Sequence, residues 1–296
     1  MPAALLTDRG VAKVGGDDAR RFLNGLLTTD IGKVTPAHPS FAALLTPQGK
    51  IIVDFLVVEA AAEDGGAFFL DCPRALAPNL VERLNFYRLR AKVTVENYSE
   101  SLGVLAAWNG NGTTQRGLIY PDPRLSALGL RGILPPHLAA DAAADLGAEL
   151  VDASAYEVHR IAQGIPRGGV DFSYGDTFPH EADMDQLGGV DFAKGCYIGQ
   201  EVVSRVEHRG SARARIVPIV YDDFAPEPGT AVMAGEKEVG RLGSTANGRG
   251  LAMLRLDRVG DAFADGTPLL AGGVAIRPVK PDWARFAWPG DIKAAE

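Results

Sequence analysis

The chain has 296 residues, 46% hydrophobic and 23% charged, with a mean hydropathy of +0.01. This is an ordinary globular balance that needs no disulfide or metal staple. Thirty basic against 37 acidic side chains leave a net charge of −7, which excludes a protein held to nucleic acid by overall charge but not a local basic patch. Two cysteines, Cys72 and Cys196, exclude a disulfide framework and fit a reducing compartment.

At this length a single core is near its upper limit, so two or three subdomains are expected. The first residues show neither a secretory nor a transit pattern. The most apolar stretch, 51–58, is interrupted by Asp54 and too short to span a bilayer. The expectation is a cytoplasmic protein with no membrane contact.

Val11–Val14 reads as a strand, followed by a helix over 17–27 with Phe22, Leu23, Leu26 and Leu27 at helical spacing. Phe41–Thr46 and Ile51–Val58 flank Pro47-Gln48-Gly49-Lys50 as the strands of a hairpin. A strand over 67–71 leads into a helix over 73–90 with Leu76, Leu80, Leu84 and Tyr87 on one face, and 92–96 returns as a strand. Residues 109–122 thin into Gly, Asn, Thr and Pro, a loop or hairpin tip. Ser154-Ala155-Tyr156-Glu157 has the form of a capping box, opening a helix that ends at Gly164-Ile165-Pro166. From Ala212 to Pro289 the pattern is strand, turn, strand with glycine-rich corners, which predicts a small separate β-barrel. The expected fold class is α+β over 1–210, followed by an all-β barrel domain over 211–296.

No G-x-S-x-G, Walker loop or strand-borne G-x-G-x-x-G is present. His180-Glu181-Ala182-Asp183-Met184 starts like a zinc-protease helix but carries Met at the second ligand. Asp183-x-Asp185 with Gly188 is similar to a calcium loop, with Lys194 in the place of the closing Glu. Both read as chance, and no metal site is expected. Around Cys196 the composition changes: Gly195 and Gly199 flank Cys196-Tyr197-Ile198, and Lys194 stands two residues away. Glycines permit a tight turn, and a nearby cation favours the thiolate. An isolated cysteine beside such a turn is usually a small buried residue; these surroundings favour an active thiol.

Lys194-Gly195-Cys196-Tyr197-Ile198-Gly199-Gln200-Glu201 matches the signature octet of the YgfZ family, folate-binding proteins related to the aminomethyltransferase (T-protein) of the glycine cleavage system. Three further stretches agree in the same order: Phe22–Asp30, Leu45–Ile51, and Tyr87–Arg90 with Lys92-Val93. The resemblance implies two interleaved α+β subdomains forming a ring around a tetrahydrofolate pocket, plus a C-terminal barrel. It also implies support of iron–sulfur cluster assembly or repair in client enzymes, through those enzymes or cluster carrier proteins. A role in cluster-dependent tRNA thiolation has been attached to bacterial members. Two departures stand out. Ala162 occupies the place where transferase relatives carry a carboxylate, which argues against aminomethyl transfer, and Arg9 stands where some members have a folate-stacking aromatic.

On this resemblance Cys196 and Lys194 are the candidate active residues, and Asn24, Asp30, Arg90, Glu157, Glu181, Tyr197 and Gln200 the candidate folate contacts. Arg90 is either a partner of the preceding helix dipole or a clamp for the folate glutamate carboxylate. Glu181 suits the donors of the pterin's aminopyrimidine. Cys72, before Pro73, reads as structural. Arg205, Arg209, Arg213 and Arg215, with His208, form a basic cluster that is either a solvated face or a site for RNA or a polyglutamyl tail. A lone cysteine cannot hold a cluster alone, so Cys196 is expected to act transiently. The favoured function is a tetrahydrofolate-binding accessory factor rather than a conventional enzyme; aminomethyl transfer and an RNA-associated role are the alternatives.

Overall fold

The structure, a computed structural model, describes residues 1–289 apart from 63–65, 210, 211 and 223, with Arg209 through its backbone alone. In chain order the elements are β1 (Pro2–Leu6), β2 (Arg9–Gly15), α1 (Ala19–Asn24), β3 (Ser40–Leu45), β4 (Ile51–Glu59), β5 (Phe68–Pro73), α2 (Ala77–Tyr87), β6 (Thr94–Asn97), β7 (Gly103–Ala107), β8 (Leu118–Pro121), β9 (Leu130–Leu134), α3 (Ala139–Asp145), β10 (Glu149–Leu150), α4 (Ala153–Ala162) and α5 (Gln200–Arg209). There follow β11 (Ala214–Tyr221), β12 (Ala231–Ala234), β13 (Lys237–Ala246), β14 (Arg249–Arg255), α6 (Leu256–Ala264), β15 (Leu269–Ala271) and β16 (Val274–Pro278). The chain divides into two compact units, residues 1–156 with 187–200, and residues 157–186 with 201 onward.

In the first unit the hairpin expected at Pro47–Lys50 forms between β3 and β4, and β4 continues into a sheet of order β3-β4-β5-β2-β6. Leu23 of α1 and Leu80 and Leu84 of α2 are fully buried with Phe55 and Leu70 of this sheet. A second sheet, β10-β1-β7-β9-β8, packs Ala3, Leu105 and Leu134 with Ala139, Ala142 and Ala143 of α3. Sequence periodicity does not reveal this second sheet, because β1 and β10 join in parallel across most of the unit's length.

The two sheets share a buried ionic chain. Arg9 donates to Asp71 Oδ1 at 2.6 Å, and Arg131 reaches Asp71 Oδ2 at 3.3 Å and Asp122 Oδ2 at 3.1 Å. Arg124 holds Asp122 through both oxygens, and Arg131 also donates to the Tyr156 hydroxyl. Asp71 and Asp122 have fully buried side chains. Burial alone would raise the Asp122 carboxyl, but Arg124 and Arg131 override it and hold it well below the usual carboxylate range.

In the second unit β11-β14-β13-β12-β15-β16 close into a barrel, which leaves no open edge among these strands. Val217, Ile219, Val232, Val239, Leu254 and Ile276 fill it. Within this unit Arg160 is a second buried hub, bonded to Asp171, Glu157, Ser244 and the Ile165 carbonyl.

The α+β class with a C-terminal barrel is as expected. The expected boundary at 210/211 lies outside the described residues. Three local readings are corrected. The first helix stops at Asn24 rather than 27, because Leu27 leaves it to bridge Leu44 of β3. The helix expected over 73–90 starts only at Ala77, after a 3-10 turn at 74–76, and ends at Tyr87. The helix α4 starts at Ala153 with Asp152 as its cap, its Oδ1 accepting from Ser154 N at 2.8 Å, so Ser154 caps nothing. The barrel domain is not all-β either: α6 lays Leu256, Val259 and Ala262 on the barrel core.

Candidate functional site

The octet loop is anchored at both ends to the first unit. Before it, Asp191 N donates to Thr28 O at 2.9 Å, and the Asp191 carboxylate pairs with Lys33. After it, Gly199 sits at φ +82°, where a Cβ would lie 2.5 Å from Thr46 O and 3.0 Å from the Gly49 Cα. Only glycine fits that contact with the β3–β4 hairpin. Ile198 packs against the core beneath.

Lys194 is the central anchor. Its ammonium donates to three carbonyls at and beyond the end of α1: Asn24 O at 2.7 Å, Leu27 O at 2.6 Å and Thr29 O at 2.8 Å. These include carbonyls that the short helix leaves unpaired, so one cation satisfies three acceptors. Burial pulls the ammonium down to about 8, against the opposing pull of Asp30 and Asp191. The Tyr197 ring lies 5.1 Å from Lys194 Nζ; burial, then Asp191, pushes its hydroxyl up to about 12. What the geometry gives Lys194, beside the influence on Cys196 expected of it, is an anchoring role. All three of its N–H bonds are committed to carbonyls, and it acts as the pin of the loop.

Above the pin the loop is open. Cys196 is a free, exposed thiol, and nothing lies within 4 Å of a Cβ built on Gly195. Cys72 is its opposite: fully buried on β5, its thiol donating to Gly10 O, and pushed up to about 12 by burial. Iodoacetamide at pH 8 is expected to label Cys196 and spare Cys72 in the folded protein, and to label both after denaturation. Mass spectrometry counts the adducts, and equal native labelling of Cys72 would refute the assignment of a sealed thiol.

The other candidates are scattered. Asn24 Oδ1 accepts from Ile31 N, and Asp30 Oδ1 from Gly32 N, so both order the turn after α1. Gln200, partly buried, opens α5, its N donating to Tyr197 O. Arg90 lies exposed, three residues beyond the end of α2. In the second unit Glu157 is claimed by Arg160 and Arg167, at 2.9 and 3.0 Å. Glu181 Oε2 accepts from Phe178 N, and the residue lines a cleft of about 250 Å³ with His180, Arg213 and Arg255. The basic cluster is partly neutralised: Arg215 is buried against Asp183 and Asp185, and Arg205 pairs with Glu201. Among the described residues no helix is long and apolar enough to cross a membrane.

Residues 213–286 match the family model of the CAF17 C-terminal beta-barrel domain. The iron–sulfur cluster assembly factor IBA57 homolog, mitochondrial, of Mycosarcoma maydis is 34% identical over 230 residues, 74% of this chain and 57% of its own length. The Pyricularia oryzae homolog is 31% identical, matching 90% of this chain and 75% of its own length. The human factor is 30% identical, at 96% and 84%. The chain belongs to the YgfZ/IBA57 family. The fold is also that of glycine cleavage system aminomethyltransferase T from Bartonella henselae, at a TM-score of 0.75 and 16% identity over 97% of this chain and 87% of that one.

Two positions singled out in the sequence can now be placed in this member of the YgfZ/IBA57 family. Ala162 is an exposed methyl at the end of α4, with no group to take or give a proton. Arg9 is locked on Asp71 through its side-chain carboxylate and backbone carbonyl, so it is not free to lie on a flat ring. Sequence reasoning missed the chain Arg9–Asp71–Arg131–Asp122–Arg124, since each member is an unremarkable charge in a strand or turn until the strands pair.

Proposed function

We propose that this protein serves iron–sulfur cluster assembly or repair, with Cys196 as the thiol that meets the cluster or its carrier. The observation that carries the reading is an exposed free thiol at the crest of a loop whose base is pinned by Lys194 and Gly199. The names borne by its relatives support the process; the pinned loop supports the residue. One thiol supplies one of the four ligands that such clusters take as a rule, so Cys196 is a transient ligand shared with a carrier or client protein. A reducing compartment suits two free cysteines.

Tetrahydrofolate is the proposed bound cofactor. The fit is uneven by residue. Glu181 keeps Oε1 for a pterin donor, and the buried Tyr197 hydroxyl has no partner among the described residues. Glu157 is consumed by its two arginines and is withdrawn from the contact set. The fold allows aminomethyl transfer, but Ala162 removes the carboxylate on which proton transfer would rest.

One experiment tests both parts. Cys196→Ser should abolish support of cluster enzymes in a deletion strain while calorimetry with tetrahydrofolate gives the wild-type affinity. Glu181→Ala with Arg90→Ala should weaken folate binding at least tenfold. Full cluster-enzyme activity in Cys196→Ser cells would refute the thiol, and an unchanged folate isotherm in the double variant would refute the cofactor contacts.

A further inference from the structure

Two stretches of the second unit, the turn at 178–186 and the helix α5, bring three ligand-type side chains together. His180, Asp185 and Glu207 each offer one donor atom, and these atoms all lie within 4.8 Å of one another. His180 Nε2 and Glu207 Oε2 are 3.1 Å apart. Arg215 grips Asp185 through both carboxylate oxygens at 2.9 Å, and its Nη1 also bonds Asp183 Oδ1 at 3.0 Å. Asp183 and Asp185 are thus joined through one nitrogen.

The second observation is Asp183 itself. Its side chain is fully buried, and its Oδ2 has no hydrogen-bond partner among the described residues. A carboxyl oxygen sealed from water without a partner costs of order 1–3 kcal/mol or more when charged, so a group that satisfies it is called for. Two carboxyl groups, Asp183 and Asp185, meet on one guanidinium, and a third, Glu207, adjoins them through His180.

We propose that His180, Asp185 and Glu207 form a site for one first-row divalent cation, joined through Arg215 to the buried, unpartnered Asp183 carboxyl. Arg215 orients the two aspartates as an outer partner. One imidazole nitrogen with carboxylate oxygens is a borderline set that suits zinc, with manganese weaker. In a tetrahedral zinc site donor atoms stand roughly 3.3 Å apart. His180 and Glu207 already meet that spacing at 3.1 Å, and all three donor atoms lie within 4.8 Å of one another. The cleft beside His180, about 250 Å³, gives the ion a way in. The two sequence near-misses each contained part of this set; the closing ligand comes from a helix 22 or more residues further on.

The test uses the full chain carrying Cys196→Ser, so that the exposed thiol cannot bind the ion. Calorimetric titration with zinc chloride should show one saturable equivalent, with manganese chloride at least tenfold weaker. Adding Glu207→Gln should weaken zinc at least tenfold and abolish the rise in melting temperature that zinc produces, while leaving the metal-free melt unchanged. Absence of saturable binding in Cys196→Ser, or an isotherm unaltered by Glu207→Gln, would overturn the proposal. So would zinc binding that requires Cys196.

Discussion

Asp122→Asn is expected to destabilise the first unit by roughly 3–5 kcal/mol, the scale for breaking a buried ion pair without repacking it. In the native chain this carboxylate takes both oxygens to Arg124 and one to Arg131. The amide keeps the shape but removes the charge, so two buried guanidinium groups lose a counter-ion at once. For a protein of this size the loss corresponds to a melting temperature lower by roughly 10 °C. The pH dependence gives a second reading. Asp122 is depressed in the folded state, so its contribution is present above its ordinary value of 3.8 and is lost as pH falls through and below it. The gap between wild type and Asp122→Asn should therefore be full at pH 7 and narrow below about pH 4. Melts recorded across that range decide it; a gap that stays constant to pH 3 would mean that the charge is not the source.

Lys194→Met is the second large effect, and it is local. Methionine fills the same channel but offers no donor, leaving Asn24 O, Leu27 O and Thr29 O without the ammonium. Unsatisfied buried carbonyls cost of order 1–3 kcal/mol each, and the relief of no longer burying a charge offsets part of that, for a net loss of roughly 2–3 kcal/mol. The loss falls on the loop and the turn after α1. Hydrogen exchange at 191–199 and 26–31 should accelerate tens of times, while the barrel amides exchange as before. Uniform acceleration across both units would show that Lys194 supports the whole fold and not the loop.

Periodicity exposed the elements whose burial is one-sided. Leu80 and Leu84 mark the packed face of α2, and short strands between glycine-rich turns mark the barrel. The β3–β4 hairpin was legible because Pro47 and Gly49 carry the turn chemistry in four residues. The second sheet was not, because its strands pair over more than a hundred residues, from β1 to β10. At the site, the octet marked the loop and its thiol, but not the anchoring role of Lys194. A cation two residues from a cysteine is adjacent in sequence, whereas the carbonyls its ammonium holds, at and beyond the end of α1, lie more than 160 residues earlier in the chain. Buried ion chains and the His180–Glu207 pairing share this property. Their members become neighbours only through tertiary folding, and no local pattern announces them.

The unequal freedom of the loop's two glycines offers an experimental handle. Gly199 tolerates no side chain, but a Cβ at Gly195 meets nothing, and its backbone lies outside the left-handed region. A reporter installed there, such as a small fluorophore on an unnatural amino acid, would ride one residue from Cys196 on a base anchored by Lys194 and Gly199. Its emission would register each visitor to the thiol in real time, turning a static crest of chain into a gauge of arrival and departure.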